Sequence, residues 1–480
     1  MSVADILLVA ILISGLSIKT VRWLAIVQQK EYRFDRIWLF LQTKEGITEL
    51  FRVVGWRDFS RTGLKRPKLT LRSIGTALLT VAVTAGLGYL ALIWFGYERS
   101  MWDFLLLFAA FWVIMPVIAI FCAVVPGMMV RIYSLWLLLQ AAEKIEQAHP
   151  QVIGITGSYG KTGTKMLLAH VLSQKYSVFM PPRSHNTILS ISQSILNGYH
   201  NQEVAIIEYA AYKKGEIGLL ASQLHPTMAI LTGLTEQHLG LFGSLAQIIT
   251  AKAELVKALP PGSRVYCANE AAAHIAAAVD TQQLNVTQVW RKSPVQGKLS
   301  AGKLVVQIGA KKITTEVVGM QYLDTIRTVY QVALDMGMTE SEIVTALESF
   351  VPPSGFTKLL STLSQVQILD DGGTSNPAGF EAALDLAAEL PGSHKVLCTS
   401  GIVDLGERSS LIHRQLALQA KATVQEVWYV GQAGKPEFAE VFGTQMLTEQ
   451  AEIMQRFEQL QSHTLLVIEG RMPAWFTKMV

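Results

Sequence analysis

Gly154–Lys165 reads GITGSYGKTGTK. A β-branched run, VIGIT at 152–156, leads into it, and a helical stretch starts at Thr162. Strand, glycine-rich turn and helix start in that order make a phosphate-binding loop. Gly157 and Gly160 let backbone N–H groups, that of Ser158 among them, approach phosphate oxygens at the positive end of a helix. Lys161 supplies a point charge for the terminal phosphates, and the Thr162 hydroxyl suits Mg2+. The spacing is not the usual GxxxxGK[ST], which needs glycine at 155, where this chain has Ile155. The strand before and the helix after argue against a chance glycine-rich turn.

Outward from this loop, short β-branched runs alternate with helical stretches: VAIIEY at 204–209, TMAILTG at 227–233, RVYCAN at 264–269, then VQILDD at 366–371, KVLCTS at 395–400, EVWYVG at 426–431 and TLLVIEG at 464–470. This rhythm predicts an α/β fold of parallel sheets with ligands at the carboxyl ends of the strands. Between about Ser300 and Pro353 lie LVVQI, a turn, ITTEVVG and a helix pair ending at Pro352-Pro353. The expected division is a membrane domain at 1–150, a P-loop-type ATP-binding domain at 151–352 and a Rossmann-like domain at 353–480. Three positions after the loop are candidates for a metal and phosphate site: Glu208 ending VAIIE, His238 in TGLTEQHLG, and Lys252 in AKAEL. Singly they read as a strand-end acid, a loop histidine and a surface lysine; their order behind a phosphate loop raises them.

Half of the 480 residues are apolar and 16% are charged, which excludes a disordered or fibrous chain. Residues 1–150 hold sixteen Lys/Arg against ten Asp/Glu, and the rest is slightly acidic. So small and local a surplus suits an anionic membrane surface and not nucleic acid. Cys122, Cys267 and Cys398 form no CxxC pair, so neither a disulfide framework nor a zinc site is indicated. Ile74–Phe95 and Phe104–Val125 are each 22 uncharged residues, about 33 Å of helix against a hydrocarbon core of about 30 Å. Ile6–Ile18 is a shorter third candidate, extendable to Val27 if Lys19 and Arg22 snorkel to the interface. The loop between the first and second spans carries thirteen Lys/Arg, and Gly96–Asp103 carries one. That asymmetry puts the long loop and everything after Val125 in the cytoplasm, where the phosphate loop meets ATP. Phe34, Ile37, Trp38 and Leu41 share one helical face, as in a helix lying in the interface or packed on the spans. Met128–Leu139, behind Pro126-Gly127, reads as a separate interfacial or connecting helix.

With these motifs in place, residues 150–480 resemble the Mur ligase family, and its MurF branch most. TGSYGKTGTK resembles TGxxGKTTTK, and IEYAAYKKGEI resembles ELGxxxxGEI. EQHLGLFGS with AKAEL resembles EAHLExFGS with AKGEI, LDDGGTSNPAGFEAALD resembles DDSYNANPxSMxAAL, and VDLGERSSLIH resembles ELGxxSxxxH. The resemblance implies a central ATPase domain with a Rossmann-like domain closing over it. It implies Lys161 and Thr162 on the β/γ-phosphates and one Mg2+, Glu208 and His238 as ligands of what would be two metal ions, and Lys252 carbamylated to give a metal-binding anion. It implies contributions from Asp370 or Asp371 and from Asn376 of the closing domain. The reaction implied moves a γ-phosphoryl group onto a carboxylate and lets an amine, from an amino acid or dipeptide, attack the acyl phosphate.

The chain also departs from that pattern. The N-terminal UDP-sugar domain is replaced by the membrane segment. His185-Asn186 stands for Asn-Asn, Leu189 and Ile191 for a glycine and a proline, and Gly233 for the asparagine of NIGEAH. Cys267 stands where NAD(D) has its asparagine, leaving Asn269, two residues on, for the adenine contact. Gly373 and Thr374 replace the tyrosine and asparagine of DDSYNANP, Phe356 the linker arginine with Lys358 nearby, and Glu469 the lysine of KGSR. The leading reading is a carboxylate–amine ligase at the inner face of the plasma membrane, in contact with membrane lipids and acting on an envelope or lipid-linked precursor. A polymer ligase of the poly-γ-glutamate type and an ATP-binding scaffold in an envelope-synthesis complex are the alternatives.

Overall fold

The computed structural model describes residues 3–30, 32, 34–53, 55, 58, 66–95, 101–182, 185–211, 213–236, 239–361, 366–373 and 375–479. It divides into two compact units, Met1–Trp136 and Leu137–Val480.

The first unit is helical: Val3–Gln29, Phe34–Leu41, Lys44–Phe51, Leu71–Phe95 and a helix beginning at Met101. Among the described residues two helices, Leu71–Leu90 and Leu105–Ala148, are long and apolar enough to cross a membrane. Two expectations are corrected here. The first helix does run past Lys19 and Arg22, but neither side chain snorkels. Arg22 is buried and bridges Glu49 at 2.7 Å and Asp58 at 2.8 Å, while Lys19 Nζ donates to the Leu50 carbonyl at 3.0 Å. Buried charges persist when paired in this way. Nor does a separate helix start after Pro126-Gly127, because Met101–Ala148 is one helix containing Pro116 and Pro126. A proline removes one i→i−4 bond and leaves the flanking turns bonded, so the helix continues. In Phe34–Leu41, Ile37 and Phe40 are buried while Phe34 and Trp38 are exposed and stacked on each other.

In the second unit, strands β1 (Gln151–Thr156), β2 (Val178–Phe179), β3 (Val204–Glu208), β4 (Met228–Leu231), β5 (Arg264–Cys267) and β6 (Asn285–Gln288) form a parallel sheet in the order β2-β3-β1-β4-β5-β6. β1, β3 and β4 are almost wholly buried, as continuous apolar runs in a doubly covered sheet must be. Leu138, Ala141 and Ile145 join the core on one face of this sheet. An antiparallel sheet follows: β7 (Gln296–Ser300), β8 (Lys303–Ile308) and β9 (Lys311–Val318). Ala301 and Gly302, both with positive φ, make the β7–β8 turn, the geometry a two-residue hairpin demands. The last sheet, β10 (Lys358–Ser361), β11 (Gln367–Asp371), β12 (His394–Thr399), β13 (Glu426–Tyr429), β14 (Met446–Leu447) and β15 (Thr464–Glu469), runs in the order β10-β11-β15-β12-β13-β14, with only β10 antiparallel. All three cysteines are free and buried.

Candidate functional site

β1 ends at Thr156 in the middle of its sheet, and the chain turns sharply into the Lys161–Leu172 helix. Two glycines make that turn possible. A Cβ at Gly157 would lie 2.1 Å from Thr232 Oγ1, and Gly160 caps the helix at φ 78°, where a side chain is strained. The first amides of the helix have no intrahelical acceptor and carry its positive end. Lys161 Nζ donates to the carbonyls of Gly157 at 2.8 Å and Ser158 at 3.1 Å. Ser158 itself is tied down, its N–H donating to the Gly233 carbonyl and its hydroxyl to that of Thr235.

Glu208 is the hub of the site. In-register pairing of β3 with β1 sets it beside Ile155, and it is 1% exposed. Its carboxylate accepts from Thr162 Oγ1 at 2.9 Å and from Asn186 Nδ2 at 3.1 Å, and pairs with Lys165 Nζ at 3.6 Å. Lys165 also donates to the Pro181 carbonyl at 3.0 Å. Lys165 was not singled out from the sequence; its signal is that it lies four residues after Lys161, on the same helical face. Lys252 Nζ, on a buried side chain, donates to the Gly157 carbonyl at 2.9 Å, the atom Lys161 also uses. Burial, and then the neighbouring Lys161 charge, hold its amine well below the usual lysine range. Thr162, Glu208, Lys161 and Lys252 thus lie together around the loop. His238 lies outside the described residues. Asn269 Nδ2 donates to Tyr159 OH at 3.3 Å and to the Thr232 carbonyl at 3.1 Å. The Tyr159 ring lies against Gly233, where a Cβ would come within 2.4 Å of it.

The C-terminal sheet brings the other candidates. Asp370 and Asp371, adjacent on β11, point to opposite faces as strand neighbours do. Asp370 accepts from the Gly372 N–H at 2.9 Å. Asp371 accepts from Thr357 Oγ1 at 2.8 Å, and Thr357 meets Tyr322 OH at 3.2 Å. Asn376 caps the Pro377–Glu389 helix through the Gly379 N–H. Phe356 stacks on Tyr322 with centroids 5.0 Å apart, and both rings lie against Gly163 of the phosphate-loop helix. Arg408 forms an ion pair with Glu236, two residues before His238. Glu469, fully buried, accepts from Ser375 and lies beside Asp371. Burial and the Asp371 charge push its carboxyl well above the usual range. The hard oxygen donors of Thr162 and Glu208 fit Mg2+, and the helix start with Lys161 fits phosphate.

Residues 155–326 match the Mur ligase middle domain. The UDP-N-acetylmuramoyl-tripeptide–D-alanyl-D-alanine ligase of Synechocystis is 28% identical over 282 residues, covering 56% of this chain and 59% of that protein. The Escherichia coli ligase of the same name is 26% identical over 306 residues, 60% of this chain and 66% of that one. The chain therefore matches somewhat under two thirds of the length of these curated relatives. MurF from Acinetobacter baumannii superposes with a TM-score of 0.64 at 23% identity, over 72% of this chain and 79% of that one. MurF from Thermotoga maritima in complex with ADP gives 0.61 at 22%, over 70% and 80%. Residues 155–326 thus match the Mur ligase middle domain, and the chain is similar in sequence and in fold to MurF ligases.

Proposed function

We propose that this chain is an ATP-dependent ligase, anchored at the cytoplasmic face of the plasma membrane, that joins a carboxylate of a cell-envelope or lipid-linked precursor to the amine of an amino acid or dipeptide. The observation that carries the reading is the convergence of Lys161, Thr162, Glu208 and Lys252 on one loop at the carboxyl end of a parallel sheet. The relatives' names, which give a UDP-N-acetylmuramoyl tripeptide and D-alanyl-D-alanine, support the substrate classes. Thr162 and Glu208 would hold Mg2+, with His238 as a further ligand. Bound there, Mg2+ would supply charge neutralisation for the phosphates and help orient the γ-phosphoryl group. Lys161 exchanges its two carbonyl partners for phosphate oxygens when nucleotide arrives. Lys252, whose amine burial and the Lys161 charge hold well below the usual lysine range, is the nucleophile for CO2: its amine adds to carbon and releases a proton, leaving a carbamate anion beside Lys161. Asn269, Asp370 or Asp371, and Asn376 contribute to nucleotide binding from the two facing domains. The two long apolar helices and the basic loop support membrane attachment.

A second reading, an ATP-binding scaffold, is favoured by Glu469, a buried acid where related ligases carry a lysine. One experiment separates them. Purified full-length chain is incubated with Mg-ATP and pools of envelope precursors and amino acids or dipeptides, and ADP and amide products are identified by mass. An amide that requires both acceptors supports the ligase; nucleotide binding without turnover supports the scaffold.

A further inference from the structure

Three helices of the first unit come together at Arg72. Its guanidinium lies over the Tyr32 ring, 4.1 Å from the centroid, and a Cβ at Gly127 would come within 3.0 Å of its Nη2. Tyr32 closes the turn after the Val3–Gln29 helix, its N–H donating to the Val27 carbonyl at 2.8 Å. Arg72 stands two residues before the uncharged run Ile74–Phe95, and Gly127 two residues after Phe104–Val125. The contact therefore sets at one level the ends of the apolar segments that the charge asymmetry assigns to the cytoplasm, where lipid headgroups would lie. Arg72 has no counter-ion there. Among the described residues it makes no hydrogen bond or ion pair, and its Nε is buried without a partner, as is the Tyr32 hydroxyl. Glu49 and Asp58, the acids of residues 30–70 whose side chains are described, are both held by Arg22 and Arg52. The chain beside Arg72 and Gly127 adds further cations, Lys65, Arg66, Lys68 and Arg131.

We propose that Arg72 binds the phosphate group of a membrane lipid, with Tyr32 fixing the plane of the guanidinium and Gly127 leaving room for it beside the long helix. A half-buried guanidinium without a counter-ion is costly at an apolar surface. One stacked on a ring keeps its in-plane N–H donors for an oxyanion. A phosphate offers two oxygens to that edge, and its charge supplies the missing counter-ion. Leu71 and Ile74 beside Arg72, and Met128 beside Gly127, are exposed apolar side chains, which favour a lipid with its hydrocarbon chains over free phosphate. The site rests on the reading that these helices enter the membrane; the ligase chemistry plays no part in it.

The test titrates the full-length chain in detergent with phosphatidylglycerol, octadecyl phosphate, phosphatidylcholine and inorganic phosphate, reading retained lipid by mass and the melting temperature. The two anionic lipids should saturate one site per chain and raise the melting temperature. Phosphatidylcholine, whose own ammonium answers its phosphate, should bind more weakly by about tenfold or more. Arg72→Gln should weaken anionic-lipid binding by about tenfold or more, and Arg72→Lys, which keeps the charge without the planar fork, by less. Lys68→Gln removes an exposed cation from the same segment and should leave the affinity within about twofold. Melting without lipid shows whether each variant is folded, and Arg72→Lys decides the matter if Arg72→Gln is not. The proposal is overturned if inorganic phosphate binds as tightly as the anionic lipids, if Lys68→Gln loses as much as the Arg72 variants, or if the folded Arg72 variants keep native affinity. Release of the chain from native membranes by alkaline carbonate would overturn the membrane reading and this site with it. A chain that resists extraction and shows no preference for anionic lipid would overturn this site alone.

Discussion

Asp371 and Glu469 are register partners at the ends of β11 and β15, two carboxyl groups side by side with Glu469 wholly buried. Two like charges cannot both be carried there: burial first and the Asp371 charge second push Glu469 well above the usual carboxylate range, and burial raises Asp371 as well, so the pair holds a proton. The folded chain then binds more protons than the unfolded one, and stability is fully present below ordinary carboxylate values and falls as pH rises through the raised ones. Glu469→Gln keeps the shape and the Ser375 contact without the titration. It should flatten that decline and raise the melting temperature near neutral pH by about 2–4 °C for each kcal/mol gained. Melting curves of both proteins across the pH range check this; parallel curves would show that the pair carries no proton linkage.

Lys161 and Lys165 lie one helical turn apart and should fail differently. Lys161→Ala removes a cation whose hydrogen bonds among the described residues go to loop carbonyls, so ATP affinity should drop while the melting temperature holds. Lys165→Ala strips the ion pair from a buried carboxylate and its own bond to Pro181. It should destabilise the chain by about 3 kcal/mol. Denaturant titration alongside nucleotide binding separates the two, and equal losses of stability would contradict the assignment.

Lys252 should carry a carbamate during turnover. Lys252→Ala should lower amide formation by about two orders of magnitude or more with ADP affinity little changed, and bicarbonate depletion should act in the same direction. Lys252→Arg should fail too, because arginine keeps its charge and cannot be carbamylated. Normal synthesis by Lys252→Arg would remove this residue from the mechanism.

Gly157→Ala should be severe despite its small volume, because the added carbon would sit 2.1 Å from Thr232 Oγ1 and 2.9 Å from the Gly233 nitrogen. The loop must move away from β4, so nucleotide binding should fall by at least about tenfold. Thr232→Ser keeps Oγ1, and should not rescue it, whereas Thr232→Ala should restore binding in part.

Topology can be read by labelling. The native cysteines are all buried, so a cysteine introduced near Lys65 gives a clean signal. In intact cells it should be protected from an impermeant reagent and react only after permeabilisation; labelling from outside would reverse the orientation drawn from the charge asymmetry.

The phosphate loop, the parallel strands, the long apolar segments and the order of Glu208 and Lys252 behind the loop were all legible in the sequence, because each is written in adjacent residues: turn glycines, β-branched runs and uncharged stretches. The polar edge strands β7 and β10 were not, since Gln296–Ser300 and Lys358–Ser361 lack an apolar run and are held by pairing to neighbours. The helix through Pro126 was misread for a similar reason, a local breaker outweighed by the turns around it. Only the tertiary structure gathers Asn186 and Lys165 on Glu208, brings Asp371 beside Glu469, and sets Lys358 opposite Asp370 across the β10–β11 pair. Such relations join residues far apart in the chain, and strand register and sheet order, which set them, depend on the packing of the whole domain.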